Sequence, residues 1–297
     1  MALALPSSDS RIAPAKLFSI LLNSAALYVL AYTVMHVALQ LTEIILAYRY
    51  VIPTIWYPSK LNFRIQDLDW RRSTVVIVFA LGQTLCLFLA GFFMLRLRDA
   101  SEKGGMLKLF YAWLVLHGCN QFFGAMVADN FVRDGFWLSP RFLFTTTNIP
   151  AVTAGFLFAN LCLLIGYKLS LPFLKTCDSI TLMRLENRPA LIWTTIFGPW
   201  AVGTLAINLC KLNAITILEE SHLFSILLLL IPMAVGVRFE MHETTSEAPR
   251  RPRLARGLML GTILVLIAFR LVLHKGVYFR PHGYMNYPGL EVVNKLR

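Results

Sequence analysis

The stretch from Thr74 to Leu95 carries no charged residue, and it is one of seven apolar runs along the chain. The others cover about Leu17 to Tyr48, Leu109 to Val127, Phe142 to Tyr167, Ala190 to Cys210, His222 to Val237 and Gly257 to Leu273. A run of about 18 or more apolar residues is long enough to cross the hydrocarbon core as a helix. Repeated through one chain, such runs leave little choice of fold. The predicted class is an all-α, polytopic integral membrane helical bundle of six or seven transmembrane helices. Composition agrees. Charged residues make up 15% and apolar residues 57%, against about 25% charged in soluble domains. Mean hydropathy is +0.62.

The organisation reads as a single transmembrane domain over 1–297, with four polar margins: an N-terminal segment 1–15, an amphipathic loop 49–73, a basic linker 238–256 and an aromatic-rich tail 275–297. No soluble part is large enough to build its own core. The N-terminal segment holds Pro6 and Pro14 and no short apolar stretch ending in a cleavage site. No removable signal peptide is read there. In the first loop Leu61, Phe63, Ile65 and Leu68 fall among polar residues, which predicts a short hairpin or a surface-lying segment. Prolines are expected inside the fourth, fifth and sixth helices, at Pro150, Pro199 and Pro232. Each removes a backbone donor and kinks its helix. Gly91, Gly124, Gly155 and Gly166 read as close helix contacts.

The net charge is +12. With no recognition motif beside it, this excess predicts loops facing anionic lipid heads, not nucleic acid. Arg250, Arg251, Arg253 and Arg256 form the densest basic cluster and are the candidate lipid-binding residues. The Lys and Arg distribution gives a narrow excess on the cytoplasmic side if the N-terminus is cytoplasmic, the short loops near Arg133 and Lys211 supporting it and the first loop opposing it. Five cysteines without a CxxC pair argue against a disulfide framework or zinc ribbon.

Ionisable groups at membrane depth are costly and mark candidate function. The first helix holds His36 and Glu43, the third His117, Asn120 and Gln121, with Asp129 at its end. The sixth opens with Glu219, Glu220 and His222, and the seventh carries Arg270 near its end. With the N-terminus inside, these groups fall toward the non-cytoplasmic side, with Thr145, Thr146, Thr147 and Asn148 opening the fourth helix there too. A cavity open to that side is predicted. His36 and His117 are the candidate metal ligands, but His36 has no partner at i+4 and there is no HExxH. No cofactor is expected, although this donor set leaves room for a bound metal ion.

Over about Val34 to Phe136 the chain resembles site-2-protease-like membrane proteins. The resemblance rests on His36 with Glu43, the hairpin-like Leu61 to Arg72, Leu81-Gly82, Asn120 and Asp134-Gly135. It departs from them in lacking HExxH, in the seven-residue gap between His36 and Glu43, and in the spacing of Asn to Asp-Gly. The resemblance implies a retained fold without protease chemistry. GxSxG and Walker loops are absent. The expected function is therefore a non-catalytic subunit, assembly or accessory component of a membrane complex, partnered by lipid and other membrane protein subunits. The alternatives are a small-molecule or ion transporter using the polar cavity, and a membrane enzyme with a His/carboxylate site.

Overall fold

The structure, a computed structural model, describes residues 13–66, 69–99, 105–144, 148–212, 215–241 and 253–281. Thr145 to Thr147, Arg250, Arg251 and the tail beyond residue 281 lie outside the described residues. Six helices are long and apolar enough to cross a membrane. They are α1 (Pro14–Arg49), α2 (Arg72–Asp99), α4 (Ile149–Leu174), α5 (Leu185–Cys210), α6 (Ile217–Phe239) and α7 (Arg256–Leu273). Between α2 and α4 runs α3, an unbroken helical stretch over 105–132. It has the length to cross, but His117, Asn120, Gln121 and Asp129 make it more polar, and its described side chains are mostly buried by neighbours. The protein is a multi-pass, all-α membrane bundle, with α3 in its interior.

Among the described residues, β-structure is confined to three three-residue strands at one end of the bundle. The first loop folds as the hairpin β1 (Thr54–Trp56) and β2 (Leu61–Phe63), and β3 (Val277–Phe279) joins it after α7. The order is β2-β1-β3, both pairings antiparallel, with Ile55 opposite Asn62 on one side and Tyr278 on the other. This end is called the sheet side below. The hairpin is pinned to α1 from above: the Trp56 indole donates to Gln40, and the Pro58 carbonyl lies 3.2 Å from His36 Nε2.

α1 is the central helix, packing against α2, α3, α5 and α7. Its contact with α3 is aromatic: Tyr28 meets Trp113 edge-on at 5.0 Å and His117 at 4.6 Å. α4 and α6 form the tightest pair, because Gly166 lies so close to α6 that a Cβ there would come within 2.3 Å of the Leu229 carbonyl oxygen. Gly91, by contrast, faces open space and makes no helix contact.

Pro232 lies inside α6 and Pro199 inside α5, as expected, but Pro150 does not lie in a helix interior. Pro150 sits in the first turn of α4, which starts at Ile149 and not near Phe142. The first turn has no intrahelical use for the missing N–H and tolerates the ring. The interior proline of α4 is Pro172, near its end. In α5, the π turn Trp193–Phe197 directly precedes Gly198-Pro199. Pro199 cannot donate to the Thr195 carbonyl, and Ser24 of α1 donates to that oxygen instead, at 3.1 Å in a buried position. Trp113 Nε1 in turn donates to Ser24 Oγ at 3.1 Å. A backbone group freed by proline is thus satisfied from a neighbouring helix, as a low-dielectric interior requires.

Candidate functional site

One face of α1 carries Tyr32, His36, Gln40 and Glu43, at successive steps of four, four and three residues. This spacing stacks side chains along one stripe of a helix. All four are buried. The stripe faces the sheet-side end of α3 and the start of α6, and between them lies a cavity of about 330 Å³. His36, Glu43, Gln83, Gln121, Asp129, Glu219 and His222 are on its wall. His36, Glu43, Asp129, Glu219 and His222 therefore come together around one space, although they are spread over most of the sequence.

Two buried ion pairs organise this wall. Asp129, fully buried, pairs with His222 Nε2 through one oxygen. Its other oxygen accepts from the Phe136 amide at 2.7 Å. The turn after α3 is built to make that bond. Arg133 and Gly135 both take left-handed backbone angles, and a Cβ on Gly135 would lie 2.7 Å from the Asp129 carboxylate. Glycine is the residue that supplies both the angle and the room.

The second pair is Lys211 with Glu219. Lys211 follows the last residue of α5, and its ammonium reaches Glu219 and the Tyr32 hydroxyl, the latter at 2.9 Å. Tyr32 donates to the same Glu219 oxygen. The ammonium also lies over the rings of Tyr32 and Phe269, at 5.1 and 5.4 Å. Burial pulls Lys211 below the usual lysine range, and Glu219 opposes that pull. Thr216 caps α6 by accepting from the Glu219 amide, which fixes the direction in which that carboxylate leaves the helix.

Beneath the cavity the helices are irregular. α3 contains a π turn at Asn120–Gly124, and α6 has a one-residue irregularity at Ile226, which keeps right-handed helical angles. Asn120 bridges the two faults: its amide donates to the His222 carbonyl at 2.8 Å, and its oxygen accepts from Ser225 at 3.0 Å. His117 lies off the main wall, beside a small void shared with Tyr28, Tyr32, Asn120 and His222. The Tyr32 ring contacts both imidazoles, at 5.2 Å from His36 and 5.8 Å from His117.

The other sequence candidates stand elsewhere. Glu220 is exposed and outside the cavity, because consecutive residues point about 100° apart around a helix. Arg270 pairs with no carboxylate in the cluster; it donates to the Leu209 and Cys210 carbonyls and so closes the end of α5. Arg253 and Arg256 are exposed at the end away from the sheet. The two metal candidates do not form a ligand set. His36 Nε2 faces the Pro58 carbonyl and lies 3.4 Å from the Lys211 ammonium, a cation already fixed by the chain. Among the described residues no three His, Cys, Asp or Glu side chains gather as metal ligands.

Tyr32, Gln40, Gln83 and Lys211 were not legible as site residues from sequence alone. For Tyr32 and Gln40 the signal is the four-residue spacing that continues from His36. Lys211 reads as an ordinary loop charge. Comparison with protein-family models, with curated proteins and with solved structures finds no match for this chain.

Proposed function

We propose that this chain is a membrane transporter for a small polar solute, which enters a cavity open to the sheet side. The observation that carries this reading is the cavity itself. Seven polar or ionisable side chains from α1, α2, α3 and α6 surround about 330 Å³ at the end of an otherwise apolar bundle. Buried charges are costly inside a membrane and are retained where a solute or ion needs them. A scaffold needs no such space.

The helix irregularities below the cavity support this reading, since π turns cluster at functional sites. Here both faults meet at Asn120, directly under His222. An accessory-subunit role would need a partner surface. The exposed apolar faces of α4 and α7 are equally what lipid covers, so they do not favour it. With the N-terminus in the cytoplasm, the cavity opens to the non-cytoplasmic side.

The test is access. In a background with the five native cysteines replaced, Gln83→Cys should react with a membrane-impermeant thiol reagent added to the sheet side of sealed vesicles. Gln121→Cys, nearer the floor, should react from that side and, on cycling, from the other. If Gln83→Cys is silent from both sides, the cavity is closed to water and the reading fails.

A further inference from the structure

The buried charges around the cavity do not balance. Asp129 is matched by His222 and Glu219 by Lys211. Glu43 is matched by nothing: among the described residues it has no ion pair or hydrogen bond, although it is only 9% exposed. It is held in place by packing, with Gly82 of α2 against its Cγ. Ionised, a carboxyl in this position needs a cation that the buried wall does not supply.

Three further oxygens on side chains of the same wall lack partners: Gln83 Oε1, Gln121 Oε1 and Glu219 Oε2. Gln83 and Gln121 are each 3% exposed. A glutamine amide can turn end for end, so either can present its oxygen to a donor. Buried acceptors left unpaired cost free energy, which a donor recovers once the side chain turns its oxygen toward the cavity. The hairpin and α2 add an apolar, aromatic patch to this wall. Phe63 of the hairpin and Phe79 of α2 stand edge to face at 5.6 Å, with Leu39 and Leu61 beside them.

We infer that the cavity takes a small organic ammonium ion, a primary amine on a short apolar or aromatic body, with its charge against Glu43 and its body against Phe63 and Phe79. The ammonium supplies the missing positive charge and three N–H donors, and aromatic faces accept a cation or its methylenes equally well. A volume of about 330 Å³ lies at the low end of small-molecule pockets, which span roughly 300–1,000 Å³. The exposed Lys60 stands at the cavity mouth, outside the buried wall that holds Glu43. This inference rests on the cavity being a solute site.

The test is calorimetric titration of the full-length protein in lipid nanodiscs with three probes of one shape: phenethylammonium, phenethyl alcohol and phenylacetate. Phenethylammonium should bind, and the neutral and anionic probes should bind at least about tenfold more weakly. Glu43→Gln should weaken phenethylammonium by about tenfold or more, Glu43→Asp should retain binding, and Glu220→Gln should be unchanged. Melting curves of the variants show that the fold is kept. If the alcohol binds as well, if phenylacetate is preferred, if Glu43→Gln binds normally, or if none of the three probes binds, the inference is overturned. Labelling of Gln83→Cys separates the two failures. A labelled cavity that ignores ammonium defeats this inference alone, and an unlabelled one defeats the solute site.

Discussion

At the scale of single residues, the cavity wall is held by charges that depend on one another. Lys211 and Glu219 are both nearly inaccessible, and Tyr32 shares the same carboxylate oxygen. Removing one partner leaves an uncompensated ion in a dry site, which costs far more than the pair contributes when intact. Glu219→Ala should therefore destabilise the protein by about 3–5 kcal/mol. Replacing both, as Lys211→Met with Glu219→Leu, should recover most of that loss, because two apolar side chains need no partner. Denaturant unfolding in mild detergent of the single and double variants checks this. A double variant as unstable as Glu219→Ala would mean that the pair is not what holds the site. Half of this was open to reading from the sequence. Glu219 and Glu220 announce a carboxylate at the start of α6, but which of two neighbours turns inward depends on the cap at Thr216. Lys211 gave no sign of burial, since a lone lysine after a helix reads as a solvated loop charge. Arg270, an intramembrane charge in the sequence, is taken up by the carbonyls at the end of α5.

Helices in this chain are most informative where they are irregular. The apolar runs locate the long helices to within about five residues, except α4, which is displaced by seven at both ends. The faults are not legible in that way. Proline marks where a donor is lost, but where the bend goes and who answers the freed carbonyl are decided by the neighbouring helix. Pro150 shows the limit: the same residue type gives no kink when it falls in a first turn. The α5 fault is the case to test. Ser24→Ala should remove the donor to the Thr195 carbonyl and strand a buried acceptor, at a cost of about 1–3 kcal/mol. Pro199→Ala restores an N–H to α5 and gives that carbonyl a partner within its own helix. In that background Ser24→Ala should cost less, the remaining cost being the Trp113 indole N–H, which loses its acceptor in both. Equal costs in the two backgrounds, measured by thermal unfolding, would break the link between Ser24 and Pro199.

For the whole molecule, the sheet decides how many times the chain crosses. β1 follows α1, and β3 follows α7, yet they pair residue for residue, Ile55 against Tyr278. The chain must therefore return to the same side after an even number of crossings between them. Five of the six apolar helices lie in that interval, α2, α4, α5, α6 and α7, and five is odd. With each of those five crossing once, α3 is what restores the parity among the described residues, and the most polar of the long helices then crosses as well. That is why a helix carrying His117, Asn120 and Asp129 is packed inside the bundle: it crosses the bilayer by lining the polar site and leaves the lipid face to its neighbours. In a cysteine-free background, Ile55→Cys with Tyr278→Cys should form a disulfide in native membranes, because directly opposed antiparallel residues lie about 4.5–5.5 Å apart at Cα, within disulfide reach. Linked peptides found by mass spectrometry, and lost on reduction, are the expected result. Two cysteines that label from opposite faces of sealed vesicles would show that α3 does not cross. The cavity wall, which needs the end of α3 on the sheet side, would then come apart with the topology.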